Sequence, residues 1–286
     1  MNTYKNTQYD EERAFSGVRG AVIENCKFEG PADGESALKE TGDLTINNCS
    51  FLLRYPLWHC STAEINNCSM SETCRAALWY DKDIVINNSE LGGIKAVREC
   101  DNTTINRSKI VSTEFGWFCR GLKMNSSEIV SEYPFLHTSD IVLDNVNMKG
   151  KYSFQYTKNV VIRNSVLDTK DAFWHSENVT VYDSVIKGEY LAWYSKNLRL
   201  VRCKIIGTQP LCYADNLIME ECTMTGCDLS FERSDVHADI KGHITSVKNP
   251  MSGSIRADYI DELIMDEYAR NSSIITERDK DLKDCV

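Results

Sequence analysis

INNSEL (Ile86–Leu91), INRSKI (Ile105–Ile110), MNSSEI (Met124–Ile129), LDNVNM (Leu143–Met148), IRNSVL (Ile162–Leu167), VYDSVI (Val181–Ile186), LVRCKI (Leu200–Ile205) and MEECTM (Met219–Met224) are one motif repeated every 19 residues. Earlier copies are IENCKF at Ile23, INNCSF at Ile46 and INNCSM at Ile65, and the steps from each to the next are 23, 19 and 21 residues. A fixed short period is the mark of stacked supersecondary units, each too small to bury its own apolar face.

The residues before each motif alternate, as in Asn159-Val160-Val161-Ile162 and Asn178-Val179-Thr180-Val181, which predicts a short half-buried strand. The motif then supplies a polar residue for a corner, a small residue (Cys26, Cys49, Cys68, Ser89, Ser108) and an apolar one. Asn tolerates the left-handed backbone that a sharp corner demands. Nineteen residues leave little room for a strand, its loops and a helix, but hold three strands of three to five residues. The predicted fold is all-β, a right-handed parallel β-helix with coils of about 19 residues stacked ~4.8 Å apart. Residues 1–20 are expected to cap one end, 21–268 to form a single β-helix with irregular last coils from 235, and 269–286 to be a polar tail, frayed or helical.

Charge and composition narrow the function. Forty-two acidic against 32 basic residues leave a formal charge of −10, which argues against nucleic acid as the partner. No stretch is apolar enough to span a membrane, and Met1–Arg13 has no apolar leader, so a cytoplasmic protein is expected. The 12 cysteines form no Cys-x-x-Cys pair and exchange with Ser along the motif, so they read as reduced core residues, with no metal site and no cofactor. Asn48, Asn67, Asn87, Asn102, Asn106, Asn125, Asn178 and Asn271 open Asn-x-Ser/Thr sequons but are read as corner residues.

On the 19-residue ruler one slot reads Lys39, Trp58, Trp79, Arg98, Trp117, Leu136, Gln155, Trp174, Trp193, Cys212 and Phe231, and it holds all five tryptophans. The slot before it (Leu38, Leu57, Leu78, Val97) is apolar and expected inside; the slot after it reads Glu40, His59, Tyr80, Glu99, Phe118 and His137. Strict alternation would put tryptophan outside, and Glu40 and Glu99 in the following slot would then sit inward or at a corner, a strain on that assignment.

Two readings of the column stay open. Solvent-facing indoles, with the charged residues Glu35, Lys39, Arg54, Arg75, Lys95, Arg98, Glu99, Lys170, Asp171 and Glu189 beside them in sequence, could take the apolar faces and hydroxyls of a saccharide. An aromatic ladder could equally stabilise the stack itself or be covered by a partner, and a homo-oligomer stays open. Asp171 and Glu189, from adjacent coils, are a candidate acid and base for sugar chemistry, although salt bridging is the plainer role. Whether the chain is an enzyme stays open, and no catalytic residue is assigned.

GESALKE (34–40), YPLWHC (55–60), RAALWY (75–80), KDAFWHSENVTVYDS (170–184), GEYLAWYSKN (188–197), QPLCYADNL (209–217) and SVKNPMSGSI (246–255), in this order, resemble an uncharacterised bacterial family of pectin-lyase-like β-helix proteins, a domain of unknown function. The resemblance, over about Glu12–Glu267, implies the right-handed fold and no established activity. The chain lacks the Asn-x-Asp, Asp-Asp, Gly-His-Gly and Arg-x-Lys set of polygalacturonase-type hydrolases and any acidic cluster suited to the calcium of the lyases. Three functions therefore stand: binding of a saccharide or small polar ligand, a carbohydrate-active lyase or hydrolase, and an interaction scaffold.

Overall fold

Ile65, Ile86 and Ile105 lie side by side in three parallel strands, Ser61–Asn66, Lys82–Asn87 and Asp101–Asn106, so each copy of the motif sits directly on the last. The computed structural model describes residues 2–268 and 271–276. Its contacts group into two compact units, Met1–Lys149 and Gly150–Val286. Each is a parallel β-solenoid, and among the described residues there is no α-helix, only the 3₁₀ turn Glu72–Cys74.

In the first unit, six-residue strands alternate with strands of two to four residues such as Ser69–Met70, Glu90–Leu91 and Lys109–Val111. The third side of the coil is strand only at Leu57–Trp58, Leu78–Trp79 and Val97–Arg98, which pair in register. The strands are therefore less even than the three to five residues predicted, and much of the third side is turn.

The corner between the first two strands is made by the third residue of each motif. Asn25, Asn48, Asn67 and Asn88 have φ between 50° and 53°, the left-handed region in which Asn is tolerated. Asn87, Asn106 and Asn125, read from the sequence as corners, instead end their strands. They join Asn47 and Asn66 in a ladder in which each amide donates to the one before at 2.9–3.0 Å. The next slot alternates Cys and Ser without penalty for a physical reason. Cys49 Sγ accepts the Cys26 N–H at 3.4 Å, and Ser89 Oγ accepts the Cys68 N–H at 3.0 Å, so either side chain fills the space and takes the same donor. The 11 described cysteines are all free and buried; Cys285 lies outside the described residues.

The narrow core is filled by these slots, Ile and Leu from the long strands, and stacked phenylalanines such as Phe28 and Phe51, 4.5 Å apart at 4°. Asn2–Lys5 pairs with the strand Arg19–Glu24, Tyr4 beside Ile23, so the first 20 residues form a coil of the same 19-residue step.

The second unit repeats the plan with Lys158–Arg163, Glu177–Tyr182, Lys196–Val201 and Asp215–Thr225 in parallel register. Val160 and Ile162 point inward as predicted, both fully buried. From Asp235 the strands lengthen to 14 and 13 residues, Asp235–Lys248 and Ser252–Ile264. Asn271–Thr276 then pairs with Ser252–Ala257, a strand where the sequence suggested fraying or helix. The remainder of that tail, and the side chain of Asn271, lie outside the described residues.

Candidate functional site

Leu38, Leu57, Leu78 and Val97 are fully buried, as their column predicts, and Lys39, Trp58, Trp79, Arg98 and Trp117 are half-buried on the outside. The following column corrects the alternation argument. His59, Tyr80 and Phe118 are also exposed, because Glu40, His59, Tyr80, Glu99 and Phe118 all have φ between 53° and 58°. A left-handed residue turns the chain at that point and sends two successive side chains to the same side. Its cost of roughly 1–2 kcal/mol per residue is offset by a bond to the next coil: His59 N–H to Trp79 O at 3.0 Å and Glu99 N–H to Trp117 O at 2.8 Å. The awkward Glu40 and Glu99 are therefore corner residues.

The outer column of the first unit is a mixed ladder of rings and cations. Lys39 Nζ lies 4.7 Å from the Trp58 ring, Trp58 stacks on Trp79 at 5.5 Å and 11°, and the Arg98 guanidinium sits 5.8 Å from Trp117 and 5.4 Å from Phe118. In the second unit Trp174 stacks on Trp193 at 5.5 Å and 6°. Each stacked indole spends a face on its neighbour, which leaves less of it for a sugar ring. Trp117, Trp174 and Trp193 also spend their N–H groups, donating to the carbonyls of Tyr133 (2.5 Å), Tyr190 (2.7 Å) and Gln209 (3.0 Å).

Asp171 and Glu189 are brought together through a lysine. Lys170 Nζ is 3.4 Å from Glu189 Oε2 and 3.9 Å from Asp171 Oδ2. Burial pushes the Asp171 carboxyl above its usual range, and hydrogen bonding to Glu189 raises Lys170. The pair is thus bridged by a cation, as salt bridging requires.

Trp58 and Trp79 differ from the other three: their Nε1 atoms are buried without a hydrogen-bond partner. Trp79 lines a cavity of about 380 Å³ whose other walls include Tyr55, Arg75, Ile94, Lys95, Arg98 and Glu114. Arg98 Nη1 and Glu114 Oε2 are likewise buried and without hydrogen-bond partners. They face one another at 3.8 Å, an ion pair too long to be a hydrogen bond, with Lys95 Nζ 3.7 Å from the same Glu114 oxygen; Arg98 Nε bonds Glu99 at 2.9 Å. Two donors and one acceptor belonging to residues that line one cavity are thus left unsatisfied, at a cost of about 1–3 kcal/mol each. A larger hollow of about 510 Å³ along Glu72, Ile94, Val111 and Val130 is open and has no such atoms among its walls.

The ruler holds a signal for this cavity. Six residues separate the motif's apolar residue from the inward column in Phe51→Leu57, Leu91→Val97 and Ile110→Gly116, but eight separate Met70 from Leu78. The two extra residues, which make the 21-residue step, are taken up around the three-residue 3₁₀ turn Glu72–Cys74, which is followed by Arg75 at φ 60°, ψ −74°. Gly93 makes room for it: at φ +101°, a Cβ there would stand 2.8 Å from the Arg75 carbonyl oxygen. Arg75 and Lys95 are among the charged residues that the sequence sets beside the tryptophan column, whereas Tyr55 and Glu114 are absent from that reading.

Beneath the same indole lies Asp81, 1% exposed, in the slot that neighbouring coils fill with Thr41, Cys60, Cys100 and Cys119. Its carboxylate accepts the N–H of Cys60 at 2.7 Å and of Trp79 at 3.1 Å, yet burial pushes its pKa up to about 8. Among the described residues no three His, Cys, Asp or Glu side chains are grouped as metal ligands, and no helix is long and apolar enough to cross a membrane.

Residues 2–276 match the family described as "Protein of unknown function (DUF3737)". No curated protein matches the chain. Solved structures similar to it include PfbA, a surface adhesin of Streptococcus pneumoniae, at 10% identity over 82% of this chain and 72% of that one, TM-score 0.33. The mannuronan C-5 epimerase AlgE4 A-module of Azotobacter vinelandii is similar at 12% identity over 96% and 89% of the two chains, TM-score 0.30. The GH136 lacto-N-biosidase from Eubacterium ramulus is similar at 7% identity over 96% and 68%, TM-score 0.33.

Proposed function

Because the chain belongs to the DUF3737 family, whose function is unknown, we propose a role from the cleft itself: it binds a saccharide or another small hydroxyl-bearing ligand beside Trp79. The observation that supports this is one cavity lined by three residues that each keep a buried polar atom without a partner: Trp79 with its Nε1 donor, Arg98 with its Nη1 donor and Glu114 with its Oε2 acceptor. A hydroxyl both accepts and donates, so a polyhydroxylated molecule answers all three, and an apolar one answers none. At about 380 Å³ the cavity is within the range of small-molecule sites. Tyr55, whose ring lies 5.8 Å from Trp79, supplies an apolar wall. Glu114 is held between Lys95 and Arg98, an arrangement that suits orientation of a ligand better than proton transfer to it.

Trp79→Phe keeps an aromatic ring in the stack and removes the N–H together with the second ring of the indole. Its melting temperature is expected to fall only by what the lost ring area costs, because the lost donor had no partner. Saccharide binding, followed by ligand-observed NMR across neutral and acidic mono- and disaccharides, is expected to weaken about 10-fold, roughly 1.4 kcal/mol for one hydrogen bond. Binding unchanged by this substitution would refute the site. A second reading, an interaction scaffold, has its own support in exposed rings on each unit, Tyr80 (41% exposed) and Phe118 (44%) on the first and Tyr156 (46%) and Tyr194 (44%) on the second. Self-association that Tyr194→Ser abolishes would favour it.

A further inference from the structure

Resting on that reading, we propose that the cleft's ligand carries an anionic oxygen group, a carboxylate or a phosphate, received by Arg75. The chain as a whole is charged −10, so an anion approaching most of its surface is repelled. The cleft is the reverse. Arg75, Lys95 and Arg98 line it against the single carboxylate Glu114, three positive charges to one negative.

The cations are not equivalent. Lys95 and Arg98 share Glu114, and Arg98 also holds Glu99. Arg75 has no carboxylate within ion-pair distance among the described residues, and its guanidinium lies 6.0 Å from the Tyr55 ring centre. A guanidinium on an aromatic ring keeps its edge N–H groups free for a planar anion, which it can meet with two parallel bonds. Its backbone is held in an uncommon conformation from several directions. Arg75 O accepts the Lys95 N–H at 2.7 Å, Arg75 N–H reaches Glu72 O at 3.4 Å, and Gly93 closes against it. A conformation this costly persists only where the surroundings determine it, and such positions cluster at ligand clamps. The same two-residue insertion that opens the cavity therefore delivers its unpaired cation.

Glucose, glucuronate and glucose 6-phosphate test this, titrated into the full chain at low and at 150 mM salt. At low salt at least one of the two anions is expected to bind about 10-fold tighter than glucose, with the preference shrinking as salt rises; the tighter of the two identifies the group. Arg75→Gln should lower the affinity of the preferred anion far more than that of glucose and so remove the preference, whereas Arg75→Lys should retain part of it. Glucose bound in a Trp79-dependent way, with neither anion favoured, would overturn the anionic group while the saccharide reading stands. If none of the three binds, both fall. An anion preference that survives Arg75→Gln would remove Arg75 from the role.

Discussion

Asp81 puts a titratable group where every other coil of the first unit keeps a neutral one, and its effect on stability can be worked out in sign and size. The folded protein holds its proton up to about pH 8, whereas the unfolded chain releases it near 3.8. Between these values the unfolded state binds fewer protons, so unfolding becomes easier as pH rises, by up to ~1.4 kcal/mol per pH unit. Over the full interval the group would take away up to ~6 kcal/mol, all of it present below pH 4 and lost by pH 8. Asp81→Thr supplies a hydroxyl of the kind with which Thr138 accepts the Cys119 N–H at 3.0 Å. The threonine can take the Cys60 N–H and leaves the Trp79 N–H without its carboxylate, a fixed penalty of about 1–2 kcal/mol. Urea unfolding at pH 5, 6.5 and 8, followed by circular dichroism at constant ionic strength, isolates the difference, because all other titrating groups are common to both proteins. The variant should start less stable at pH 5 and gain on wild type by up to ~4 kcal/mol at pH 8. Parallel pH profiles for the two proteins would refute the reasoning.

Two further outcomes follow from the second unit. Gly188 has φ +148° and would place a Cβ 2.0 Å from the Thr169 carbonyl oxygen, whereas Gly226, at φ +61°, faces open space. Gly188→Ala should therefore cost more than ~3 kcal/mol and Gly226→Ala about 1 kcal/mol, and equal melting shifts would contradict the coil spacing. Trp174→Phe and Trp79→Phe lose the same ring area, but only the first also loses a made hydrogen bond, to Tyr190 O, so it should cost about 1–2 kcal/mol more; thermal melts of the two variants side by side decide it.

The stacked fold was legible because stacking repeats its demands. Ile65, Ile86 and Ile105 meet the same core, Asn25, Asn48, Asn67 and Asn88 the same left-handed corner, and Cys49 and Ser89 the same N–H from the neighbouring coil. A condition imposed once per coil leaves a periodic trace in residue type, and the confinement of all five tryptophans to one slot is such a trace.

What residue type does not encode had to come from the tertiary structure. His59, Tyr80 and Phe118 are unremarkable choices for a strand, and nothing in their side chains announces φ near +55°; the inter-coil bonds to Trp79, Arg98 and Leu136 hold them there. Strand alternation alone leaves that column either inward or at a corner, and the left-handed backbone decides for the corner. Nor could the column alone separate Trp79 from Trp174, which share a slot but differ in whether a carbonyl meets the indole N–H. The cleft lies where the period fails, at the two extra residues between Met70 and Leu78. A one-dimensional pattern gives the length of such an insertion but not its direction, and direction is what brings Arg75 beside Tyr55, Trp79 and Arg98. Repetition is written in the sequence because every coil must satisfy it locally, whereas the site depends on one irregular coil packing against its neighbours, a relation that exists only once the chain is folded.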